Sequence, residues 1–416
     1  MNQHKALSRR RELWLLFTLA GIQFTHILDF MIMMPLGPQF TALFGITDAQ
    51  FGLLVSAYTL AAGASGLVAS TYIDRFGRKR LLLALYSLFA LATLACGLAP
   101  GYGALMIARI AAGVFGGVLS ALCQTIVGDV IPFERRGRAM GIIMTSFSVS
   151  TVAGVPLGLF LAAHLSWHAP FFAIAGLSVL LAVFAALTLP VLDGHLRQAG
   201  RVSAFSGIRQ VLGDPNHQKA FVFSGLLMFA GFTVIPYITI YMQANVGLRS
   251  DQIPLIYLCG GVFTLFSARL FGRMTDRRGK VRTFRWLAAA TVVPMTLTTL
   301  IGHWPLPLVL TVTTLFFMCM SGRMIPGMAI LTSAANPQLR GTFMTLNSSV
   351  QSAGMGVAAF VGGQIIGRNA QGQVQNYWMA AVVGALATGL AIWLAGKLTL
   401  YGAPAARPGA APGPDH

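Results

Sequence analysis

Three polar side chains stand in register inside one apolar stretch near the start of the chain. Gln23, His26 and Asp29 follow one another at intervals of three, so in a helix they form a stripe along one face. Of the eleven acidic residues, Asp29 alone is read as sitting near the middle of an apolar run. A carboxylate in hydrocarbon costs about 2.5–3.5 kcal/mol on insertion scales, and such residues face a cavity and mark an ion or substrate path. Lost hydration penalises the charged form more than the neutral one, which makes Asp29 a candidate proton carrier. The chemistry is proton uptake and release, with His26 as a second titrating or hydrogen-bonding group. A structural salt bridge, for example to Arg109, is the other role open to Asp29. Arg109 and Arg323 also lie inside apolar runs and stay charged, so neither can be the titrating group. Each can pair with the acid, hold an anionic substrate, or neutralise a nearby carbonyl. Arg323 sits in GRMIPG (322–327), a Gly/Pro-interrupted stretch suited to a break in a helix. Asn347 and Gln351 share a face at i, i+4, for interhelical hydrogen bonds or substrate contact. Tyr237 and Tyr241, with Phe30, Met31, Met33 and Met34, offer an adaptable apolar lining.

The elements that must carry these residues are membrane spans. The chain of 416 residues is 56% hydrophobic and 10% charged, against about 25% charged in a soluble domain. A spanning helix needs roughly 20 mostly apolar residues. Such runs occur near 13–34, 49–72, 81–98, 102–127, 139–161 and 170–189, and again near 220–242, 253–271, 284–301, 306–331, 343–366 and 377–398. The expected fold is therefore all-α and integral to the membrane, with twelve spans in two groups of six. The expected organisation is a bundle over 1–192, a linker over 193–219, a second bundle over 220–401 and a disordered Pro/Ala/Gly-rich tail over 402–416. Within the linker, Val202, Phe205, Ile208, Val211 and Leu212 with Arg201 and Arg209 suit a short interfacial helix, although a plain tether is the expected form. The basic and apolar start resembles a signal peptide without a small-residue cleavage site and is read as an uncleaved first span.

The net charge of +18 is explained by topology. With both termini cytoplasmic, nearly all 29 Lys and Arg fall on the cytoplasmic side; Arg249 and Arg368 lie opposite, and Arg109, Arg269 and Arg323 lie within spans. No folded basic face for nucleic acid is expected. Cys96, Cys123, Cys259 and Cys319 all sit in apolar runs and read as free thiols. Nothing in the sequence has the form of a nucleotide-binding loop, a metal cluster or a nucleophile–base motif, so neither an enzyme, a cofactor nor a metal is expected.

A loop motif repeats. Asp74, Arg75, Gly77, Arg78 and Lys79 recur as Asp276, Arg277, Gly279 and Lys280, each set between two apolar runs. A second pair, Arg136-Gly137 and Arg340-Gly341, recurs at nearly the same offset. Six spans per copy give both halves one orientation, the parallel-repeat arrangement with a pseudo-twofold along the membrane normal and a path between the halves. An Asp beside a helix end can accept from backbone N–H groups of a neighbouring helix, a contact able to hold and release a closed state. Gly154, Pro156 and Gly158 form a GVPLG stretch that bends or thins a helix.

Taken together, the D-R-x-G-R-K loop at Asp74–Lys79, Arg109 with Gly113 as R-x-x-x-G, and GVPLG at 154–158 resemble the major facilitator superfamily. The resemblance is to its twelve-span drug:proton antiporter branch, in the form of the arabinose-efflux-type permeases. It implies that the repeated loops serve conformational exchange rather than substrate contact. It also implies that spans 1, 4, 7 and 10 line a central cavity, so that the Gln23–His26–Asp29 stripe faces inward. The function it implies is secondary transport by alternating access, with export of a small amphipathic organic compound against inward proton flow. Import of a small organic anion by proton symport or facilitation is the alternative, with Arg109 and Arg323 holding a carboxylate. A non-transporting receptor or a lipid transporter on the same scaffold is a third. The expected partners are the substrate, protons and the lipid bilayer, with the chain acting as a monomer in the inner membrane.

Overall fold

The computed structural model describes residues 9–131, 133–189 and 204–401. Sixteen helices and one small hairpin carry them. In order they are α1 (Arg9–Ile32), α2 (Gly37–Phe44), α3 (Asp48–Tyr72), α4 (Arg78–Gly97), α5 (Tyr102–Val130), α6 (Phe133–Val149), α7 (Val155–His164) and α8 (Ala169–Thr188). There follow α9 (Ala204–Gly213), α10 (Pro215–Phe232), α11 (Ile238–Ala244), α12 (Ile253–Arg278), α13 (Lys280–Leu300), α14 (Leu306–Ala334) and α15 (Arg340–Ile365). The antiparallel pair β1 (Gly367–Arg368) and β2 (Val374–Gln375) precedes α16 (Tyr377–Ala395).

Ten segments are long and apolar enough to cross a membrane, counting α6–α7 and α10–α11 as one each. The other two runs expected to span coincide with α13 and α15, which are 21 and 26 residues long but more polar. Lys280, Arg282 and Arg285 open α13, and Asn347 and Gln351 lie in α15. The outer faces are unsuited to water: Leu187 is 81% exposed, and Ile107, Phe266 and Leu386 are each 71% exposed. Such a density of exposed large apolar side chains is a hydrocarbon-facing surface.

Local chemistry explains most boundaries. A Thr47–Gln50 capping box starts α3, Thr47 Oγ1 accepting from Gln50 N at 3.2 Å and Gln50 Oε1 from Thr47 N at 2.9 Å. Asp214 caps α10 ahead of Pro215. Gly279 stands at φ +85°, where only glycine is at ease, and lets the chain turn directly from α12 into α13. Pro156 has no N–H to give the helical ladder, and the chain between α6 and α7 widens into a π turn over Ser150–Gly154. Residues 204–213 of the linker form α9, with Val211 buried against α10 and its neighbours, so this part is helical rather than a plain tether. The expected disordered tail lies outside the described residues.

Apolar packing divides by depth. One cluster, including Leu28, Ile32, Phe40 and Phe51 with Tyr237, Ile240, Met242 and Tyr377, joins the two halves of the chain at the face opposite the Lys/Arg-rich loops. Toward the basic face the apolar core separates, although α3 and α15 stay in contact there, with Ser349 against Gly63 and Gly66. One cluster there holds only residues before 190, such as Leu19, Tyr86 and Leu122, and the other only residues after 210, such as Phe223, Phe284 and Phe343. The chain is thus sealed across its middle on the basic-poor side.

Backbone contact makes the helix pairs close. A Cβ built on Gly113 would lie 2.3 Å from the Tyr58 carbonyl oxygen, and one on Gly117 2.3 Å from that of Ala62, so α5 touches the α3 backbone along this glycine face. Neither contact can be relieved by a rotamer change. Gly117→Val is expected to destabilise the fold by about 3 kcal/mol or more, read as a lower midpoint of thermal unfolding in detergent; an unchanged midpoint would show that α3 and α5 can separate freely.

Candidate functional site

Asp29 lies in the last turn of α1, immediately before the chain leaves the helix at Met33–Leu36, and not at the midpoint of the span. Pro35 and Pro38 account for the break, since neither can donate to the ladder. Arg109 projects from the second turn of α5 and meets Asp29 there. Arg109 Nη1 donates to Asp29 Oδ2 at 2.9 Å and to the Asp29 carbonyl oxygen at 3.2 Å. Both side chains are fully buried. The guanidinium carbon stands 4.2 Å from the centroid of the Tyr58 ring on α3, a cation–π contact in a desolvated place. Glycine is what admits this layer: the Gly113 face of α5 lets Tyr58 lie beside the guanidinium.

Thr93 on α4 also approaches the Asp29 carboxyl and Cys96 the Arg109 guanidinium. Tyr58 Oη and both ring nitrogens of His26 are buried beside the pair without a hydrogen-bond partner among the described residues. His26 packs against Tyr58 and Phe89, with ring centroids 6.1 and 6.0 Å away, and its ring lies over Gly116. Gln23, two turns below Asp29, donates from Nε2 to Ser120 Oγ on α5 at 3.1 Å. Phe30 stacks on Tyr58 on one side and on Phe232 of α10 on the other, with centroids 5.5 and 5.9 Å away, and so bridges the two halves.

The other expected residues fall elsewhere. Arg323 is buried within α14, its Nη1 donating to Thr388 Oγ1 on α16 at 3.1 Å and its Nη2 to the Leu227 carbonyl on α10 at 3.2 Å. The expected interruption at 322–327 does not occur: α14 runs unbroken with Pro326 inside. Its glycines serve close approach instead, since a Cβ on Gly322 would meet the Phe271 ring at 2.6 Å. Tyr237 ends the 3-10 turn over Ile235–Tyr237 that separates α10 from α11, and Tyr241 lies one turn on in α11. Tyr237 Oη donates to the Ala359 carbonyl and Tyr241 Oη to that of Ile301. Both are packed in the sealed layer, apart from Asp29. Asn347 is buried in α15, and Gln351 Nε2 donates to Ser224 Oγ on α10 at 3.1 Å. The bend motif receives α1: Cβ atoms on Gly154 and Gly158 would meet Leu28 and Ile32, and Pro156 follows the π turn.

Of the loop residues, Arg75 is exposed in a 3-10 turn after α3, and Gly77 precedes α4 with an ordinary φ of −60°. Arg78 Nη1 donates to the Ile73 carbonyl at 2.7 Å. Lys79 Nζ donates to the Ala186 and Leu189 carbonyls at 2.9 and 2.6 Å, a cation at the C-terminus of α8 where the helix dipole favours it. In the second copy Asp276 and Arg277 remain helical at the end of α12, and Lys280 Nζ donates to Ser333 Oγ. Arg340 opens α15. The side chains of Asp74 and Arg136 lie outside the described residues; the neighbouring Arg135 pairs with Glu12 at 2.8 Å. Tyr58, Thr93 and the Asp48–Arg368 pair are the polar features that the sequence reading missed.

Comparison with known proteins places this arrangement. The family model described as Major Facilitator Superfamily matches residues 19–359 and 220–413. An uncharacterized MFS-type transporter of Bacillus subtilis (strain 168), YceJ, is 23% identical over 352 residues, covering 85% of this chain and 88% of its own. The crystal structure of a bacterial homolog of the human lysosomal transporter Spinster, inward-facing and occupied, aligns with a TM-score of 0.74 at 15% identity, over 94% of this chain and 98% of that one. A D-xylose–proton symporter aligns with a TM-score of 0.74 at 17% identity, over 93% and 98%. A fully buried acid–arginine pair among membrane-crossing helices, and a family match along nearly the whole length, lead to one conclusion: the chain belongs to the major facilitator superfamily and is a multi-pass membrane transporter, not an enzyme.

Proposed function

We propose that the chain is a proton-coupled exporter of a small amphipathic organic compound, working by alternating access between two six-helix halves, with twelve spans in all. The observation that carries this reading is the fully buried Asp29–Arg109 pair inside a membrane-crossing helix pair, α1 and α5. A carboxylate sealed against a guanidinium has two states of similar packing. Ionised, it holds Arg109 across α1 and α5. Protonated, it loses the charge that holds the arginine, and the guanidinium is free to turn toward a substrate while keeping its contact with Tyr58. Taking up a proton from one side and losing it to the other couples that change to the proton gradient. His26, one turn back on α1, is placed to pass the proton toward Gln23 and the basic face.

The lining favours an amphipathic rather than an anionic cargo. Asp29 cancels the charge of Arg109, and Arg323 is spent on Thr388 and Leu227 between α10, α14 and α16. Phe30 and Phe232 stack on each other between the two halves, and Met31 follows on α1. Aromatic rings and thioethers accept varied apolar shapes. On this reading the basic loops face the cytoplasm, with both termini on that side of the inner membrane, and the apolar seal on the opposite face corresponds to a state closed to the outside. The chain acts as a monomer.

The test uses inside-out vesicles with an acid interior and a pH-reporting dye, challenged with cationic, neutral and anionic compounds one at a time. Release of protons by an amphipathic compound, absent in vesicles without the protein, is the expected result. Silence across the panel together with proton-driven uptake of an organic anion in right-side-out vesicles would replace export with import.

A further inference from the structure

On the basic-poor face an ion pair ties the two halves of the chain together. Arg368 Nε donates to Asp48 Oδ2 at 2.8 Å and Arg368 Nη2 to Asp48 Oδ1 at 2.7 Å, a two-pronged contact between residues 320 positions apart. The Asp48 side chain is 2% exposed and that of Arg368 38%. Donating to Asp48 raises the guanidinium above its ordinary value. The nearby Arg249–Asp251 pair, by contrast, closes within one loop at 73% and 60% exposure and joins nothing. Exposed pairs of that kind contribute about 0–1 kcal/mol, whereas forked pairs shielded from water are stronger and directional.

Both partners are held on fixed supports. Asp48 is the first residue of α3, fastened by the Thr47–Gln50 box at a helix end whose dipole favours an anion. Arg368 stands on the β1–β2 hairpin, which is clamped to the end of α11: Asn245 Nδ2 donates to the Val374 carbonyl at 2.9 Å, and Val374 N donates to Asn245 Oδ1 at 2.8 Å. Directly beneath, Tyr237 Oη reaches the Ala359 carbonyl between Gly52 and Gly363, where any side chain would strike the tyrosine. Ser56 Oγ donates to the Gly356 carbonyl at 2.7 Å one step deeper. Hydrogen bonds and apolar contacts therefore continue inward from the ion pair along α3 and α15. Helices in a bilayer gain little from hydrophobic association, so polar contacts of this kind set which surfaces stay together.

We propose that Asp48 and Arg368 are the latch of the gate on the basic-poor face, a pair that must part before the transport path opens to that side. The latch rests on the alternating-access reading above. Separating the halves there requires the fork to break, since its two supports belong to opposite halves. Loss of either charge leaves the apolar layer, the Tyr237 contact and the Ser56–Gly356 hydrogen bond in place but removes the forked ion pair, and the equilibrium moves toward the open form.

The test is a distance measurement in nanodiscs with nitroxide labels on Leu43→Cys and Gln371→Cys, both exposed and on opposite sides of the gate, in a Cys259→Ser/Cys319→Ser background. Asp48→Asn keeps the shape of the acid, and Arg368→Gln alters a side chain already part-exposed, so a retained short distance reports that each variant is folded. The expected result is an increase of about tenfold in the ratio of long to short distances in each variant, equivalent to about 1.4 kcal/mol. If wild type shows a second distance on acidification but both variants match it at every pH, the latch is overturned and alternating access stands. If neither wild type nor variant shows a second distance under any condition, both are overturned.

Discussion

In Asp29→Asn, accumulation of substrate against its gradient is expected to fall to the level of vesicles lacking the protein, a loss of at least about 100-fold, or about 2.7 kcal/mol of coupling at 1.36 kcal/mol per tenfold. Asparagine has the shape of the acid and can still accept from Arg109 Nη1, so the contact with α5 survives. It cannot take or give a proton. If the gradient drives the cycle through this carboxyl, the variant is fixed in the uncharged condition and the downhill step of the proton has no carrier. Exchange of labelled for unlabelled substrate, which needs no net proton movement, is expected to continue. The separation of the two activities is the informative result. A variant that fails in both has lost the binding site or the fold, and one that still accumulates substrate carries its protons elsewhere. Asp29→Glu restores the titrating group at a displaced position and is expected to recover part of the accumulation.

His26 is expected to behave differently, because neither ring nitrogen has a partner among the described residues and its neighbours are Tyr58 and Phe89. Its service is to shorten a route, so its loss slows transport without uncoupling it.

The spans were legible because a bilayer imposes one length on every crossing helix, and uninterrupted apolar runs of that length are visible in the residues alone. Asp29 and Arg109 were legible for the same reason: a charge inside such a run has few harmless explanations, and the pairing of these two was among the roles considered. The neighbours were not. Tyr58 lies in an apolar run with nothing to mark it, and its place under Arg109 depends on how closely α3 and α5 approach, which Gly113 and Gly117 decide together with the Tyr58 and Ala62 carbonyls. The same glycine chemistry was misread in α14. A Gly/Pro cluster can break a helix or thin it, and the sequence does not distinguish the two; the Phe271 ring seated against Gly322 does. The break at Met33–Leu36 is the reverse case, since Pro35, Gly37 and Pro38 announced it but the apolar run concealed it. Asp48 gave the ordinary signal of a helix start, and nothing local connects it with Arg368, whose position is fixed by a hairpin and by Asn245 more than a hundred residues away.

The largest effects on stability are expected from dividing the Asp29–Arg109 pair. Asp29→Leu leaves a guanidinium in an apolar layer with a carbonyl, Cys96 and the Tyr58 ring but no counter-charge, and Arg109→Met leaves a carboxyl with Thr93 but no cation. Removing one partner of a buried pair costs about 3–5 kcal/mol, mostly the penalty of stranding the other charge. The double variant strands nothing. Both residues are then apolar and of similar bulk to those they replace, and such exchanges in buried pairs are neutral or stabilising by about 1–4 kcal/mol. Unfolding in detergent should therefore rank the double variant near wild type and both single variants far below it, a coupling that simple addition of the two losses cannot produce. If the double variant is instead as unstable as the sum of the singles, the two residues act independently and the ion pair is not what holds this layer. The transport assay completes the cycle. A double variant that is stable yet cannot accumulate substrate means that the pair is kept for coupling at no gain in stability. Full accumulation in that variant would remove the pair from the mechanism altogether, whatever its contribution to the fold.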